Sequence, residues 1–214
     1  MTGTGLMAFW ADIDADYLQR YQEWHNCEHI PERVSIPGFR EGRRYRLRGR
    51  DGAFLMMYET EAPETLSSDA YLAALNAPTV WTREALTHFR DPVRNIYRLQ
   101  DSSGAPGPFA APWIASLRFN AAELPERWLS GLRAAPDVTR LRLYAVDEDI
   151  SNIMTSERSV YGGGPGEQQY LLLVETASPE AAQAAFTDLP DSCTDAFADE
   201  GWLEISHEWK GTTT

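Results

Sequence analysis

The chain has 214 residues, with 19 lysines and arginines against 32 aspartates and glutamates, a formal net charge of −13. That balance excludes a nucleic-acid backbone as partner, since binding one needs a basic surface. Hydrophobic residues at 43 % supply a packed core and exclude global disorder. No apolar run reaches the ~18 residues of a membrane span, and residues 1–6 lack the basic stretch and apolar block of a signal peptide, so the expected setting is cytoplasmic with no membrane partner.

A first strand is expected over 6–13, where Met7 to Ile13 parallels Trp113 to Asn120 in the second half, a stretch that alternates with period 2. A helix follows over 16–34, where Asp14 or Asp16 can cap by accepting backbone N–H bonds. Strands over 43–49 and 53–59, helices near 63–76 and 79–90, and a strand over 93–99 complete a first unit, residues 1–100. The stretch Asp101-Ser102-Ser103-Gly104-Ala105-Pro106-Gly107-Pro108 reads as a linker, 101–108. A second unit, 109–210, repeats the order: strand 112–119, helix 121–134, strands 139–147 and 168–175, helices 178–188 and 192–199, strand 202–209.

The two units share sequence as well as order. Tyr58-Glu59-Thr60-Glu61-Ala62-Pro63-Glu64 reappears as Val174-Glu175-Thr176-Ala177-Ser178-Pro179-Glu180, and Arg44-Tyr45-Arg46-Leu47 parallels Arg140-Leu141-Arg142-Leu143. The expected fold is therefore α+β: two tandem ferredoxin-like βαββαβ units whose antiparallel sheets pack face to face as a barrel. Independent beads on a string are the alternative. A second copy as partner, a homodimer, stays open, because internal pairing already covers both sheets.

Chemistry-bearing residues concentrate between 17 and 45. Tyr17, Tyr21, Trp24 and Glu28 share one helix face, and His25, Glu28, His29 and Glu32 form an adjoining stripe. Pro31 is expected to break or kink the helix, leaving His29 near a C-terminus whose dipole favours imidazolium while burial opposes it. That competition can poise a histidine for proton transfer. On residues alone, the same stripe also suits a solvated helix surface.

Glu28-His29-Ile30-Pro31-Glu32-Arg33, after Trp24 and before Ile36-Pro37-Gly38-Phe39, resembles the dimeric α+β-barrel superfamily near its EthD-like branch. The resemblance implies a pocket for a small, apolar or aromatic substrate between sheet and helices. It implies His29 as the acid–base residue, with His25 and Glu28 beside it. Tyr21, Trp24, Glu32, Arg33, Arg43 and Tyr45 would then wall the pocket or bind polar substrate groups. The implied activity is cofactor-independent isomerisation, cyclisation or lyase chemistry on a carbonyl or phenolic metabolite. The superfamily also holds haem enzymes, with His25, His29, His88 or His207 as conceivable axial ligands. A non-catalytic ligand-binding or stress-response module is the remaining alternative. The second unit has Trp128 but no histidine in its corresponding helix, which suits one working pocket per chain.

Other signals carry less. His25-Asn26-Cys27-Glu28-His29 matches the HxxEH zinc pattern but lacks a third ligand, so no metal is expected. Cys27 and Cys193 lie too far apart in sequence for a CxxC, which excludes a cysteine-rich zinc site. Tyr161-Gly162-Gly163-Gly164-Pro165-Gly166 has no following Lys-Ser/Thr and is no P-loop. The arginines between 40 and 50 are expected on a solvated strand edge.

Overall fold

Apolar alternation becomes eight strands: β1 (Gly5–Ile13), β2 (Phe39–Leu47), β3 (Ala53–Thr60), β4 (Phe89–Gly104), β5 (Trp113–Asn120), β6 (Val138–Val146), β7 (Tyr170–Thr176) and β8 (Thr194–Glu208). The helices are α1 (Leu18–Trp24), α2 (Ile30–Val34), α3 (Asp69–Asn76), α4 (Val80–Leu86), α5 (Glu126–Ala134), α6 (Glu148–Ser151), α7 (Ser156–Tyr161) and α8 (Pro179–Ala184). A π-helical turn, His25–His29, joins α1 to α2. These elements come from a computed structural model that describes residues 3–106 and 111–208.

The strands close into one antiparallel barrel in the order β1-β3-β2-β8-β5-β7-β6-β4. The first half contributes β4-β1-β3-β2 and the second β8-β5-β7-β6, the same internal order. The two sheets are joined at both margins, β2 to β8 and β4 to β6. One chain thus supplies every strand, and no edge is left open.

Strand alternation sorts side chains into two environments. Leu55 and Met57 point into the barrel, while Phe54, Met56 and Tyr58 pack outward under the helices. At one end of the barrel interior, Arg43, Arg140 and Arg142 meet Glu41, Glu59 and Glu175, all buried. Arg43 binds Glu41 through two nitrogens at 2.5 and 2.6 Å, and Ser206 donates to Glu41 at 2.5 Å. Arg142 pairs with Glu59 and, at 2.8 Å, with Glu175, which Arg140 also holds at 2.7 Å. The network is charge-balanced and crosses from one half to the other.

Several expectations change. No helix forms over 192–199: residues 194–199 enter β8, because ladder bonds to β5 outweigh local propensity. Asp101–Ser103 and Gly104 pair with β6 as part of β4 instead of forming a linker; Gly107 and Pro108 lie outside the described residues. The arginine run is not a solvated edge: β2 has neighbours on both sides, and Arg43 and Arg44 are buried. Register also revises the internal parallel. Glu41 faces Glu59 as Arg140 faces Glu175, so Arg43 corresponds to Arg142 and Tyr45 to Tyr144. The repeated Glu-Thr turn is kept in structure: Thr60 donates to the Ala62 carbonyl and Thr176 to that of Ser178, each at 2.8 Å.

Candidate active site

The helical segment after β1 does not break at Pro31. Proline has no N–H and its ring crowds the carbonyl four residues back. Here the preceding turn widens, and the Ile30 N–H bonds the His25 carbonyl five residues back. This π turn accommodates the proline and carries the helix on through α2 to Val34. His29 therefore sits in mid-helix, and the expected C-terminal dipole effect does not apply to it.

Both imidazoles turn inward, 5.7 Å apart between ring centres. His29 packs on the Trp24 indole at 4.4 Å, and Trp24 Nε1 donates to Thr82 Oγ1 at 3.2 Å. His25 is wholly buried. Arg44 Nη1 lies 3.1 Å from its Nδ1, and a guanidinium only donates, so Nδ1 accepts. The proton of the neutral ring is then on Nε2, which donates to Tyr58 Oη at 3.4 Å. Glu204 anchors this chain by accepting from Arg44 Nε at 2.9 Å. Gly42 makes room for the Tyr58 ring, since a Cβ there would stand 2.9 Å from it.

Burial lowers the pKa of both histidines well below 6.5; Arg44 and Arg33 push His25 further, and Arg33 and His25 do the same to His29. Both are neutral at pH 7. His29 Nδ1 is buried without a hydrogen-bond partner among the described residues.

His29 faces a narrow cleft between the outer sheet face and the helices, with about 450 Å³ of space between atoms, mouth included. Its interior has room for only about one water molecule. Met7, Phe9, Trp24, Met56 and Phe89 make the apolar wall, and His29, Arg33, Tyr58, Tyr71, Arg94 and Glu157 the polar one. Glu157 and Tyr161 arrive on α7, from the long β6–β7 connection of the second half. Arg33 forms a buried ion pair with Glu157. Burial pushes the Glu157 carboxyl upward, and Arg33 beside it pulls the other way.

Of the residues expected at the site, Trp24, His29 and Arg33 line the cleft together. His25 stands behind it, and Tyr21 is buried against Phe54 at 5.0 Å. Glu28 turns elsewhere, accepting from Thr79 at 2.6 Å and Thr82 at 3.2 Å, where it fastens α4. It therefore does not complete an HxxEH metal site with the two imidazoles. Glu32 is half-buried and pairs with Arg33 at 3.3 Å. Arg43 and Tyr45 do not reach the cleft: beyond the bulge at Phe39/Glu41, the odd positions of β2 point into the barrel, across the sheet. Tyr58, Tyr71, Arg94 and Glu157 were not singled out from sequence. Their one signal was Tyr58, inside the repeated Glu-Thr motif; the others come from elements that only the fold brings near.

No protein-family model and no curated protein matches this chain. Solved structures do. An anthrone oxidase-like protein aligns with a TM-score of 0.65 at 7 % identity, covering 98 % of this chain and 94 % of its own. A monooxygenase candidate from Lactobacillus acidophilus NCFM gives 0.59 at 6 % identity, covering 96 % and 97 %. At these identities the likeness is one of fold alone, that of a closed eight-stranded antiparallel barrel flanked by helices. A heme-binding protein from Thermus thermophilus shares it at a TM-score of 0.51 and 9 % identity, covering 95 % and 92 %.

No histidine at the cleft fits an axial haem ligand in this geometry. His25 has both nitrogens engaged, and His88, whose Nδ1 lies 3.0 Å from Asp14, stacks on Tyr17 at 3.8 Å and does not line the cleft. His207 is exposed on β8. His29 has an open nitrogen, but its cleft is far too narrow for a macrocycle. Among the described residues no helix is long and apolar enough to cross a membrane.

Proposed function

We propose that the chain is an enzyme that moves a proton on a small, largely apolar or aromatic carbonyl or phenolic compound, with His29 as the acid–base group. One observation carries this: a neutral imidazole that lines an aromatic-walled cleft and keeps a buried Nδ1 without a hydrogen-bond partner among the described residues. A neutral imidazole in a dry site can accept a proton at pH 7, and the charge it leaves on substrate meets fixed donors rather than water. Trp24 orients the ring and excludes water; Arg33 receives the oxygen on which negative charge develops. Isomerisation, cyclisation and elimination all begin with that step and need no cofactor.

The likeness to anthrone oxidase-like and monooxygenase-type structures favours a second reading of the same step. The carbanion left by proton removal can give two electrons to dioxygen and form a carbon–oxygen bond to a hydroperoxide, which loses water to leave a new carbonyl, so that one oxygen atom is inserted and the other leaves as water. We further read the two halves as a tandem ferredoxin-like duplication, residues 1–100 and 109–210, near the EthD-like branch. Their equal strand order and the repeated Glu-Thr turn support this.

His29→Ala is expected to lower turnover about 10²- to 10⁴-fold in a correctly folded protein. Ligand retained with no turnover in the parent protein would instead favour the binding-module alternative. A Soret band in purified protein would favour haem.

A further inference from the structure

The polar wall of the cleft is rich in unspent donors. Arg94 spends one N–H on the Tyr71 hydroxyl at 3.1 Å and forms no ion pair with a carboxylate among the described residues. Tyr71 Oη accepts there, so its own proton is available to a ligand. Arg33 Nη1 lies 3.3 Å from Glu32 but without hydrogen-bond alignment, and is buried with no acceptor. Tyr58 Oη accepts from His25 Nε2, so its proton too is free for another acceptor. The wall's one carboxylate, Glu157, is already held by Arg33. Buried donors are normally matched by acceptors. Here four side chains, the buried Arg33, Tyr58 and Tyr71 and the half-buried Arg94, offer donors to one small space, in a chain of net charge −13.

We propose that the cleft binds a small organic anion, an aromatic carboxylate, whose carboxyl group sits on Arg94 and Tyr71. Arg33 Nη1 and the Tyr58 hydroxyl supply further donors. The aromatic body takes the Phe9, Met56 and Phe89 side. Guanidinium–carboxylate contacts are the strong, directional kind of hydrogen bond. The cleft must widen to admit such a body, since its interior now holds about one water. This rests on the reading of the cleft as the substrate site and narrows the substrate to a compound charged before reaction begins.

The test is calorimetric binding of three probes, 1-naphthoate, 1-naphthamide and 1-naphthol, to the full chain at pH 7. Naphthoate is expected to bind at least about 10-fold tighter than the amide. Arg94→Gln should weaken naphthoate about 10- to 100-fold and leave the amide unchanged, with partial recovery in Arg94→Lys. Equal binding of naphthoate and naphthamide would overturn the proposal, as would unchanged naphthoate affinity in a folded Arg94→Gln variant. Tighter binding of naphthol than of naphthoate would overturn the carboxylate assignment. His29→Gln separates the two readings. It should keep naphthoate affinity; if it also keeps turnover, the catalytic reading fails while the anion seat stands.

Discussion

The neutral state of His29 is set by burial first and by Arg33 second, and each has a measurable consequence. A base whose pKa lies well below 6.5 is already deprotonated at pH 6.5. The kcat/KM profile should therefore be flat through neutrality, with its acid limb well below 6.5. The same shift links pH to stability. Unfolded histidines titrate near 6.5, while folded His25 and His29 resist protonation, so the unfolded state binds more protons below that pH. Their stabilising contribution is complete above pH 6.5 and falls as pH drops toward the folded values. The slope is about 1.4 kcal/mol per pH unit for each ring, readable as a falling urea midpoint. Glu157→Leu should cost about 3–5 kcal/mol, because it leaves the Arg33 charge buried without that partner. The double variant with Arg33→Met should recover most of that loss. Trp24, His29 and Arg33 were legible in sequence because they share one helical segment. Arg94 and Glu157 were not: nothing local distinguishes them, and only barrel closure brings them to the cleft.

At the scale of elements, the π turn decides where the imidazoles point. It is one residue longer than an α turn, and the solvent-facing Asn26 is its most expendable member. Deleting Asn26 should restore a continuous α-helix with both flanks in place. Melting temperature should stay within about 4 °C, as for a change near 1 kcal/mol, while turnover falls as His25 and His29 lose their shared orientation. Equal activity in the deletion variant would show that the π turn is incidental. The helical period over 16–34 was readable, but Pro31 pointed to a break. The carbonyl geometry that absorbs a proline is not written in periodicity. β8 was half misread for a related reason: its first residues are strand only because β5 is beside them.

For the whole molecule, the repeated order of strands and their union in one barrel were both legible in the sequence; the seams that close it, β2 to β8 and β4 to β6, were not. The six-residue charge network in its interior joins β2 and β3 to β6 and β7, with Arg43–Glu175 and Arg142–Glu59 pairs running from one half to the other. Arg142→Ala should destabilise by about 3–5 kcal/mol, since Glu59 loses its nearest cation. Unfolding should remain one transition by Trp fluorescence and far-UV circular dichroism alike. Two separated transitions would mean that the halves fold as independent units. The cleft depends on the same union: α7 belongs to the second half, yet it seals the site of the first.

The most direct measurement is the ¹⁵N resonance of the His29 ring in selectively labelled protein, followed with pH. A ring that stays neutral at pH 6 and takes up a proton only on further acidification is the predicted result. Titration near 6.5, the value of a histidine in water, would contradict a dry, base-competent imidazole at this cleft.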